Sequence, residues 1–399
     1  MKWITGGVVA PQGFLASGVS AGIKLSRKPD VALVVCEEPA AAAAVFTTNR
    51  VQAAPVAISK QRVRRGRARA VLINSGCANC LTGAAGVRDA LTMGRDVARA
   101  LKLSEAEVLL ASTGVIGRRL PLSRMRRAIP SLVAQLSRAN HRSAAQAILT
   151  TDLVSKEAAG QQRIGGRICR VGGMAKGAGM IAPSMATMLG VLTTDVSITP
   201  GFLRQLLREV VEQTFNRISV DGDTSTNDTV FALASGRSGV AIRPSTKAAR
   251  DFTQMLLAVS QKLALLLVED GEGASRTMEV QVVGARTARE ALACARQVAC
   301  SPLVKTMLAG ADANIGRIAG AVGASPARFD PGRLEIAIGG RRVVSRGVPV
   351  PLEKASARRL LDHSSVHVRI DLHAGRAEDR MWTCDLTEDY VRINARYTT

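Results

Sequence analysis

The sequence predicts a protein of the α/β class with mixed sheets arranged in layers. Apolar strand-like runs recur along the whole chain, and segments with a helical spacing of apolar residues lie between them. The order of these elements is irregular, since several helices are long and some strands are adjacent, so it does not fit a Rossmann fold. At 399 residues, the chain is long enough for two domains, or for one large domain with an appendage.

Three segments show the helical spacing most clearly, and they cover residues 87–101, 200–215 and 246–268. In each of them, apolar residues recur at intervals of three and four, which places them on one face of a helix. The second segment also carries start signals, because Thr199 can cap a helix and Pro200 suits its first turn. We therefore predict amphipathic helices that pack against sheets.

The strand-like runs are rich in Val, Ile and Leu, which favours buried strands. They cover residues 31–37, 68–76, 188–198, 228–236, 278–285, 334–340 and 366–372. A smaller C-terminal domain is expected to begin within the fifth of these runs, and we place it at about 281–399. No repeat or low-complexity linker separates it from the rest of the chain.

The composition carries an unusual excess of positive charge, with a formal net charge of +22. Basic runs at 60–70 and 117–130 could indicate a nucleic-acid-binding surface. Against that interpretation, aromatic residues make up only 3% of the chain, which leaves few side chains for stacking on bases. No zinc-finger spacing occurs either. We therefore predict a solvated basic surface that attracts acidic small molecules and binds neither nucleic acid nor a membrane.

The seven cysteines favour a reducing compartment, because their number is odd and no secretory signal is visible. Cys77 and Cys80 form a single CxxC pair with no second pair or neighbouring histidine, so no metal site is predicted. The N-terminal stretch is broken by glycines and lacks a compact apolar region, so it resembles neither a signal peptide nor a membrane span. We expect a cytoplasmic protein.

Several polar or Gly-rich segments go beyond what packing requires, and glycines let backbone N–H groups approach a ligand closely. None of them has the spacing of a P-loop or of a dinucleotide-binding loop. The aspartates of DGD at 221–223 could suggest calcium, but the EF-hand pattern is absent, so a loop-capping role is predicted. The segments are NSGCANCLTG (74–83), ASTGVIG (111–117), ILTTD (148–152), GGMAKGAGMIAP (172–183), SVDGDTSTNDT (219–229), EDGEGAS (269–275) and INARYTT (393–399).

The four histidines, at 141, 363, 367 and 373, do not support a Ser-His-Asp triad, since none lies near a Gly-x-Ser-x-Gly turn. A threonine can dispense with histidine if it is N-terminal, because its own α-amine has a pKa near ~8 and can act as the base. That arrangement requires the chain to be cut before the threonine. Spacing alone does not choose among Thr113, Thr151 and Thr187.

Nine short sequence blocks are spread over almost the whole chain, and together they carry a family resemblance. They are GGVVAPQGFLASGVSAGIK, VFTTNRVQAAPV, NSGCANCLTG, LLASTGVIG, AKGAGMIAPSMATML, FNRISVDGDTSTNDT, VEDGEGA, SPLVKTMLAG and CDLTEDYVRINARYTT. In these blocks the chain resembles the ornithine acetyltransferase family, also called glutamate N-acetyltransferase, of the cyclic arginine pathway. The resemblance implies an α-β-β-α sandwich with a smaller C-terminal α/β domain. The sequence departs from the family's usual pattern at Cys77 and Ser184, where asparagine is usual.

The resemblance implies that the precursor cleaves itself before the threonine of ATML, between Ala186 and Thr187, into fragments 1–186 and 187–399. Thr187 would then accept acetyl from N-acetylornithine and pass it to glutamate by a ping-pong route. The implied oxyanion donors are Thr113 and Gly114, a type of contact that is typically worth ~3–4 kcal/mol per donor.

The resemblance also implies a set of substrate-contacting residues, namely Thr150, Lys176, Thr187, Glu272, Asn394 and Thr399. Their charges fit the substrates, because both substrates carry an α-carboxylate that suits Lys176. Ornithine also carries an ammonium group, for which we expect Glu272 to be the partner. Thr399 is the last residue, so this set predicts an ordered C-terminus, against the usual fraying of chain ends.

The family pattern further implies an α₂β₂ heterotetramer of the chain's own cleaved fragments, with no cofactor and no metal. The sequence leaves open whether acetyl-CoA serves as a second acetyl donor to glutamate. The alternative function is that of a related self-cleaving aminopeptidase or amidase, in which water replaces glutamate as the acceptor. The two functions differ in whether the site binds the carboxylate of an amino-acid acceptor.

Overall fold

The computed structural model of this chain describes residues 1–182 and 188–396. They form two compact units: the first contains residues 1–177, 188–216 and 224–267, and the second contains residues 178–182, 217–223 and 268–396. Ala186, Thr187 and Thr399 lie outside the described residues. The predicted fragments 1–186 and 187–399 and the predicted domain at 281–399 stay predictions.

The first part of the chain, as far as a long helix, contains strands and helices in an irregular order. In chain order its elements are β1 (Lys2–Trp3), β2 (Phe14–Val19), β3 (Val31–Phe46), α1 (Ala54–Val63), β4 (Arg67–Cys77), α2 (Gly83–Leu101), β5 (Val108–Val115), α3 (Leu122–Ala134), α4 (His141–Ala147), β6 (Lys156–Ile164), β7 (Arg167–Lys176), β8 (Leu189–Thr194), β9 (Ser197–Ile198), α5 (Pro200–Gln213), β10 (Ile218–Ser219), β11 (Thr229–Ala234), β12 (Ala241–Ile242) and α6 (Lys247–Glu269).

The remaining elements belong to the second unit. They are β13 (Thr277–Ala285), α7 (Ala288–Ala299), α8 (Pro302–Ala309), α9 (Ile315–Gly323), β14 (Glu335–Ile338), β15 (Arg341–Ser345), β16 (Val348–Pro349), α10 (Lys354–Arg359), β17 (Ser365–Asp371), β18 (Ala377–Cys384) and α11 (Glu388–Asn394).

The first unit is built on one mixed sheet, whose strand order among the described residues is β1-β6-β7-β8-β11-β3-β4-β5, with β2 beside β3. Two neighbouring pairs are parallel, β8 with β11 and β4 with β5, and the other pairs are antiparallel. Because β4 and β5 are parallel, their carboxyl ends lie side by side. These ends carry Gly76 and Gly114, which pair directly.

This sheet is buried on both faces, as strand β4 illustrates. Val71 and Ile73 pack in one hydrophobic cluster together with α4, whereas Ala70 and Leu72 point to the opposite face and pack with α2 and α3. A strand that is buried on both faces has no need for alternating polarity, which explains the continuous apolar runs in the sequence. The predicted mixed α/β class with layered sheets and helices is confirmed.

Helix α6 is long and apolar enough to cross a membrane by length and composition, with a mean hydropathy of 1.3 in its most apolar window. Half of that window is buried inside the protein, which is typical of a core helix. Phe252, Leu256, Val259 and Leu263 are each at most 2% exposed. The predicted amphipathic face of this segment is therefore the face that packs.

The second unit has its own seven-stranded sheet among the described residues, in the order β10-β18-β13-β17-β14-β15-β16. Met278, Val280 and Val282 alternate along β13, and each is fully buried in a core shared with α7. Their polar neighbours along the strand point to the other face, which is the pattern of a half-buried strand. This core contains no residue of the first unit's clusters.

The predicted helices and strands are present, together with further strands and helices that were not predicted. The helices predicted at 87–101, 200–215 and 246–268 correspond to α2, α5 and α6. Strand β5 was missed because its end, ASTGV, is rich in small and polar residues. Small side chains lower the strand signal in sequence, yet they fit where two buried strands approach closely.

Candidate active site

Thr113 and Gly114 lie at the carboxyl end of β5, where the backbone is very tightly packed. Gly114 has φ +126°, and a Cβ atom built on it would lie 2.4 Å from the carbonyl carbon of Gly76. Only glycine adopts that conformation without strain and leaves room for the neighbouring strand. Thr113 is 4% exposed, so its hydroxyl lies in a largely dehydrated environment.

Lys176 is the last residue of β7, and its side chain reaches the same threonine. Its Nζ donates to Thr150 Oγ1 at 2.8 Å and to Thr113 Oγ1 at 3.4 Å. Asp152 Oδ2 lies 3.7 Å from the same nitrogen. Lys176 is only 2% exposed, so these contacts replace most of the hydration of its charge. Three of the sequence-predicted site residues therefore meet at one ammonium group.

Asp152 holds this cluster together. Its carboxylate accepts from Lys156 Nζ at 2.7 Å, from Gly177 N at 2.6 Å and from Thr150 N at 2.9 Å. Burial by itself would raise the pKa of Asp152, but the ammonium groups of Lys176 and Lys156 outweigh it, so the pKa lies well below its ordinary value. Asp152 therefore stays ionised and balances the positive charge of the two buried lysines.

The contact between Lys176 and Thr113 has a chemical consequence. The ammonium group can only donate, so the Thr113 oxygen accepts and its own proton is directed elsewhere. A hydroxyl that accepts from a cation becomes a stronger donor. Together with the backbone N–H of Gly114, this hydroxyl can stabilise negative charge that develops on a carbonyl oxygen.

A second buried carboxylate, that of Asp228, contacts Met188, the residue that follows the predicted nucleophile Thr187 in sequence. Its Oδ1 accepts from Met188 N at 2.8 Å. Its Oδ2 is also buried and has no hydrogen-bond partner among the described residues. Burial raises the pKa of Asp228 well above its ordinary value, although the hydrogen bonds of Met188 N–H and the Ser225 side chain and the Lys176 charge act in the opposite direction.

Asn227 ties the strand ends of the first unit to one another. Its Nδ2 donates to the carbonyl oxygens of Ala78 and Ser112, each at 2.7 Å. Asn74 links the same two strands, since it accepts from Ser112 Oγ at 2.6 Å and donates to Cys77 O at 2.8 Å. Three polar segments that the sequence singled out are thus connected through side-chain amides.

Cys77 packs as an apolar residue at this point. It is 3% exposed, and its Sγ donates to the carbonyl oxygen of Arg118 at 3.2 Å. Burial raises the pKa of its thiol, so the thiolate form is disfavoured. All seven cysteines are free, and no group of three metal-ligating side chains occurs among the described residues.

The second unit brings together two other predicted residues, Glu272 and Asn394. Asn394, the last residue of α11, donates from Nδ2 to Glu272 Oε2 at 2.7 Å and to the carbonyl oxygen of Tyr390 at 3.1 Å. Asn394 is exposed, and Glu272 is half-buried. A Cβ atom at Gly179 would lie 2.4 Å from a Glu272 oxygen, so the absence of a side chain there makes room for the carboxylate.

The DGD loop has the predicted capping role. Asp221 accepts from the backbone N–H groups of Met180 at 2.5 Å, Ile181 at 2.9 Å and Asp223 at 3.1 Å. Its Oδ2 also accepts from the Tyr390 hydroxyl at 3.2 Å. Burial and the carboxylates of Asp221 and Glu272 raise the pKa of Tyr390, so this hydroxyl stays protonated and acts as a donor.

The structure therefore places four predicted residues, Thr113, Gly114, Thr150 and Lys176, in the first unit, and it places Glu272 and Asn394 in the second. The role of each stays a prediction. Sequence reasoning missed Asp152, Lys156 and Asp228. A signal existed for two of them, since Asp152 ends the segment ILTTD and Asp228 belongs to STNDT. Lys156 gave none, because a lone lysine in a sequence predicts an exposed side chain.

The family model named ArgJ family matches residues 15–399, which is nearly the whole chain. The chain belongs to the ArgJ family. It is 47% identical over 402 residues to an arginine biosynthesis bifunctional protein ArgJ of Symbiobacterium thermophilum, with 100% of both chains covered. It is 45% identical over 407 residues to the protein of the same name in Synechococcus, with 99% of this chain and 98% of the relative covered. The predicted resemblance is confirmed.

The chain is also similar to a solved structure, that of the ornithine acetyltransferase of Mycobacterium tuberculosis complexed with ornithine. It is 42% identical to this chain and covers 46% of it and 98% of the solved chain, with a TM-score of 0.42.

Proposed function

We propose that this ArgJ-family chain is a glutamate N-acetyltransferase that moves the acetyl group of N-acetylornithine to glutamate in arginine biosynthesis. The observation that carries the proposal is the family match over residues 15–399, together with 47% identity over the full length to a protein of arginine biosynthesis. The buried contact between Lys176 and Thr113 adds a site suited to an oxyanion.

The first step of the proposed mechanism is self-cleavage between Ala186 and Thr187. The Thr187 hydroxyl attacks the Ala186 carbonyl carbon, and the C–N bond breaks to leave an ester. The breaking of that bond frees the Thr187 α-amine, which takes up the hydroxyl proton. Water then hydrolyses the ester, which returns the Thr187 hydroxyl and leaves Ala186 with a carboxylate. The amine then takes up the hydroxyl proton in each later attack, as an N-terminal threonine can do without histidine.

Acetyl transfer then takes place in two halves. The Thr187 hydroxyl attacks the acetyl carbonyl of N-acetylornithine, the amide C–N bond breaks, and ornithine leaves with the proton. The amine of glutamate attacks the acetyl ester, the C–O bond breaks, and N-acetylglutamate leaves. Both halves pass through a tetrahedral anion, so the same two donors, Thr113 Oγ1–H and Gly114 N–H, serve twice.

Two charged residues, Lys176 and Glu272, are each proposed to recognise a charged group of the substrates. Lys176 supplies a positive charge at Thr113 and Thr150, and the Asp152 carboxylate lies 3.7 Å from its Nζ. Glu272 supplies a negative charge that Asn394 orients, which suits the ornithine ammonium. Thr399 is proposed as a further substrate contact from the family pattern.

A second activity, acetylation of glutamate by acetyl-CoA, is also proposed, because the curated relatives carry the name bifunctional. It would use the same Thr187 ester and require no cofactor or metal. We further propose that the two fragments assemble as an α₂β₂ heterotetramer in the cytoplasm, and that the protein binds neither nucleic acid nor a membrane.

Self-cleavage is tested by comparing wild type with Thr187→Ala on a denaturing gel. We expect two bands near half size for wild type and one band near 42 kDa for the variant. Thr151→Ala is the matched control, because it removes a hydroxyl from another candidate of the same type and should still give two bands. An uncut but active wild type would refute the mechanism.

Acetyl transfer is tested by incubating the protein with N-acetylornithine labelled in its acetyl group. We expect label on the Thr187 fragment in the absence of glutamate and in N-acetylglutamate when glutamate is added. If label appears only as free acetate in both cases, the protein is the alternative hydrolase and the transferase proposal is wrong.

A further inference from the structure

Lys24 ends the first sequence block that the family resemblance rests on, yet no predicted role accounts for it. It lies in the loop between β2 and β3, close to the ends of β4 and β5. A Cβ atom at Gly76 would lie 3.2 Å from Lys24 Cγ and 3.1 Å from Ile23 Cγ2, so the lysine stem packs over the Gly76 backbone. Gly76 is the direct partner of Gly114, the proposed oxyanion donor.

The position of this loop is fixed by Asp30, which is fully buried. Its carboxylate accepts from Ala21 N and Ile23 N, each at 2.6 Å, and from Lys24 N at 3.1 Å. The carbonyl oxygen of Asp30 in turn accepts from Ser75 N at 2.8 Å, next to Gly76. Asp30 therefore holds Lys24 at the end of β4, because its carboxylate binds the Lys24 loop and its carbonyl oxygen binds Ser75 N.

The Lys24 ammonium group remains available to a ligand. Its Nζ donates to the carbonyl oxygen of Pro29 at 2.8 Å, and no carboxylate lies within ion-pair distance of it among the described residues. The nearby Asp30 carboxylate is occupied by three backbone N–H groups. An ammonium group has three donors, so at least two are left for a substrate.

Lys24 lies close enough to Lys176 and Asp152 for their charges to change its pKa. Burial is the main cause that lowers the pKa of Lys24 to about 8, and Lys176 and Lys28 lower it further, while Asp30 and Asp152 raise it. A bound carboxylate would relieve this unfavourable environment, because an opposite charge nearby favours the charged form of an amine.

The two substrates differ by one carboxylate. N-acetylornithine has an α-carboxylate and a side-chain ammonium, whereas glutamate has an α-carboxylate and a side-chain carboxylate. Lys176 is already balanced by Asp152 and donates to two threonine hydroxyls, so it does not serve two carboxylates at once. Binding of the side-chain carboxylate of glutamate therefore requires a second cation near Gly114.

We infer that Lys24 is a specificity-determining residue that binds the side-chain carboxylate of the acceptor glutamate. The inference rests on the proposed function and deepens it, because it assigns the acceptor half of the reaction a partner of its own. Lys24 is not expected to favour the donor, since an ammonium group repels the side-chain ammonium of N-acetylornithine.

The test compares glutamate with glutamine as acceptors in wild type and in Lys24→Met, which keeps the stem and removes the charge. We expect the ratio of kcat/KM for glutamate to that for glutamine to fall about tenfold in the variant, corresponding to ~1.4 kcal/mol. The KM for N-acetylornithine should stay the same or fall. Lys24→Arg should retain most of the preference for glutamate.

Lys28→Met is the matched control, because Lys28 is an exposed lysine of the same loop and should leave the ratio unchanged. An equal loss of activity with both acceptors in Lys24→Met would indicate a structural role and overturn the inference, and so would an unchanged ratio. Failure of the proposed function would appear differently, as a wild type that transfers acetyl to neither acceptor.

Discussion

Asp152 and Lys156 form an ion pair of 2.7 Å in which both side chains are completely buried. Such a pair gains little stability over an apolar one, since both charges lose their hydration. Its value here is positional, because the same carboxylate also fixes Thr150 N, Gly177 N and the Lys176 ammonium. The Asp152–Lys156 pair therefore helps to hold Lys176 in contact with Thr113.

Asp152→Asn should therefore lower the free energy of unfolding by about 3–5 kcal/mol, because it removes the carboxylate charge that faces two buried ammonium groups. The measurement is chemical denaturation near neutral pH. Glu105→Gln is the control, since Glu105 pairs with Arg95 at 2.8 Å on the surface and should unfold as wild type does. Equal unfolding curves for Asp152→Asn and wild type would contradict the buried charge balance.

Asp228→Asn should become more stable relative to wild type as the pH rises from about 4 to 8. The pKa of Asp228 is raised in the folded state, so its contribution is complete below the ordinary carboxyl pKa and is lost as the pH rises through the folded value. An amide has no charge to bury and removes this loss. Thermal melting of both proteins across the pH range measures their difference in stability. A stability difference that is independent of pH would refute the raised pKa of Asp228.

Thr113→Val should lower kcat about 10²–10³-fold with a smaller change in KM, because it removes a hydroxyl donor while preserving shape. The physical reason is the 3.4 Å contact by which Lys176 directs the Thr113 proton away from itself. Steady-state kinetics with N-acetylornithine and glutamate measure the change. Thr113→Ser keeps the hydroxyl and should stay within about tenfold of wild type; a Val variant with wild-type kcat would exclude Thr113 as a donor.

Glu272→Gln should raise the KM for N-acetylornithine about tenfold and change the KM for glutamate much less. The reason is the loss of the negative charge that Asn394 orients at 2.7 Å. Initial rates at varied donor and fixed acceptor, and the reverse, separate the two values. Glu388→Gln removes an exposed charge of the same unit and should leave both unchanged. Equal effects on the two substrates would argue against a donor-specific charge.

The preference for glutamate over glutamine should decrease in wild type as the pH rises through about 8, where Lys24 loses its proton. The titration of the two acceptor α-amines contributes equally in wild type and in Lys24→Arg, so the comparison of the two enzymes isolates Lys24. The decrease should be smaller in Lys24→Arg, because arginine stays charged over this range. A wild-type ratio that is flat between about pH 7 and 9 would show that Lys24 does not titrate there.

The sequence predicted the helices well because their apolar spacing is a local property of the chain. α5 shows this, since Thr199 accepts from Phe202 N and Pro200 opens the helix as expected. The candidate residues Thr113, Gly114, Thr150 and Lys176 also came from the sequence, through the resemblance of their blocks to a known family. Lys156 did not, because a lone lysine carries no sign of the burial it will undergo. Asp152 and Asp228 were missed although they belong to polar segments that the sequence singled out.

The sequence by itself therefore determined the α/β class and the family, and it supplied the candidate site residues as predictions. The meeting of Lys176 with Thr113 was decided by tertiary structure alone. Their strands, β7 and β5, are separated in the sheet order by β8, β11, β3 and β4, and their residues are 63 positions apart in the chain. A pairing of this kind depends on how the sheet folds back on itself. That depends on packing over both faces of the sheet, which no local pattern encodes.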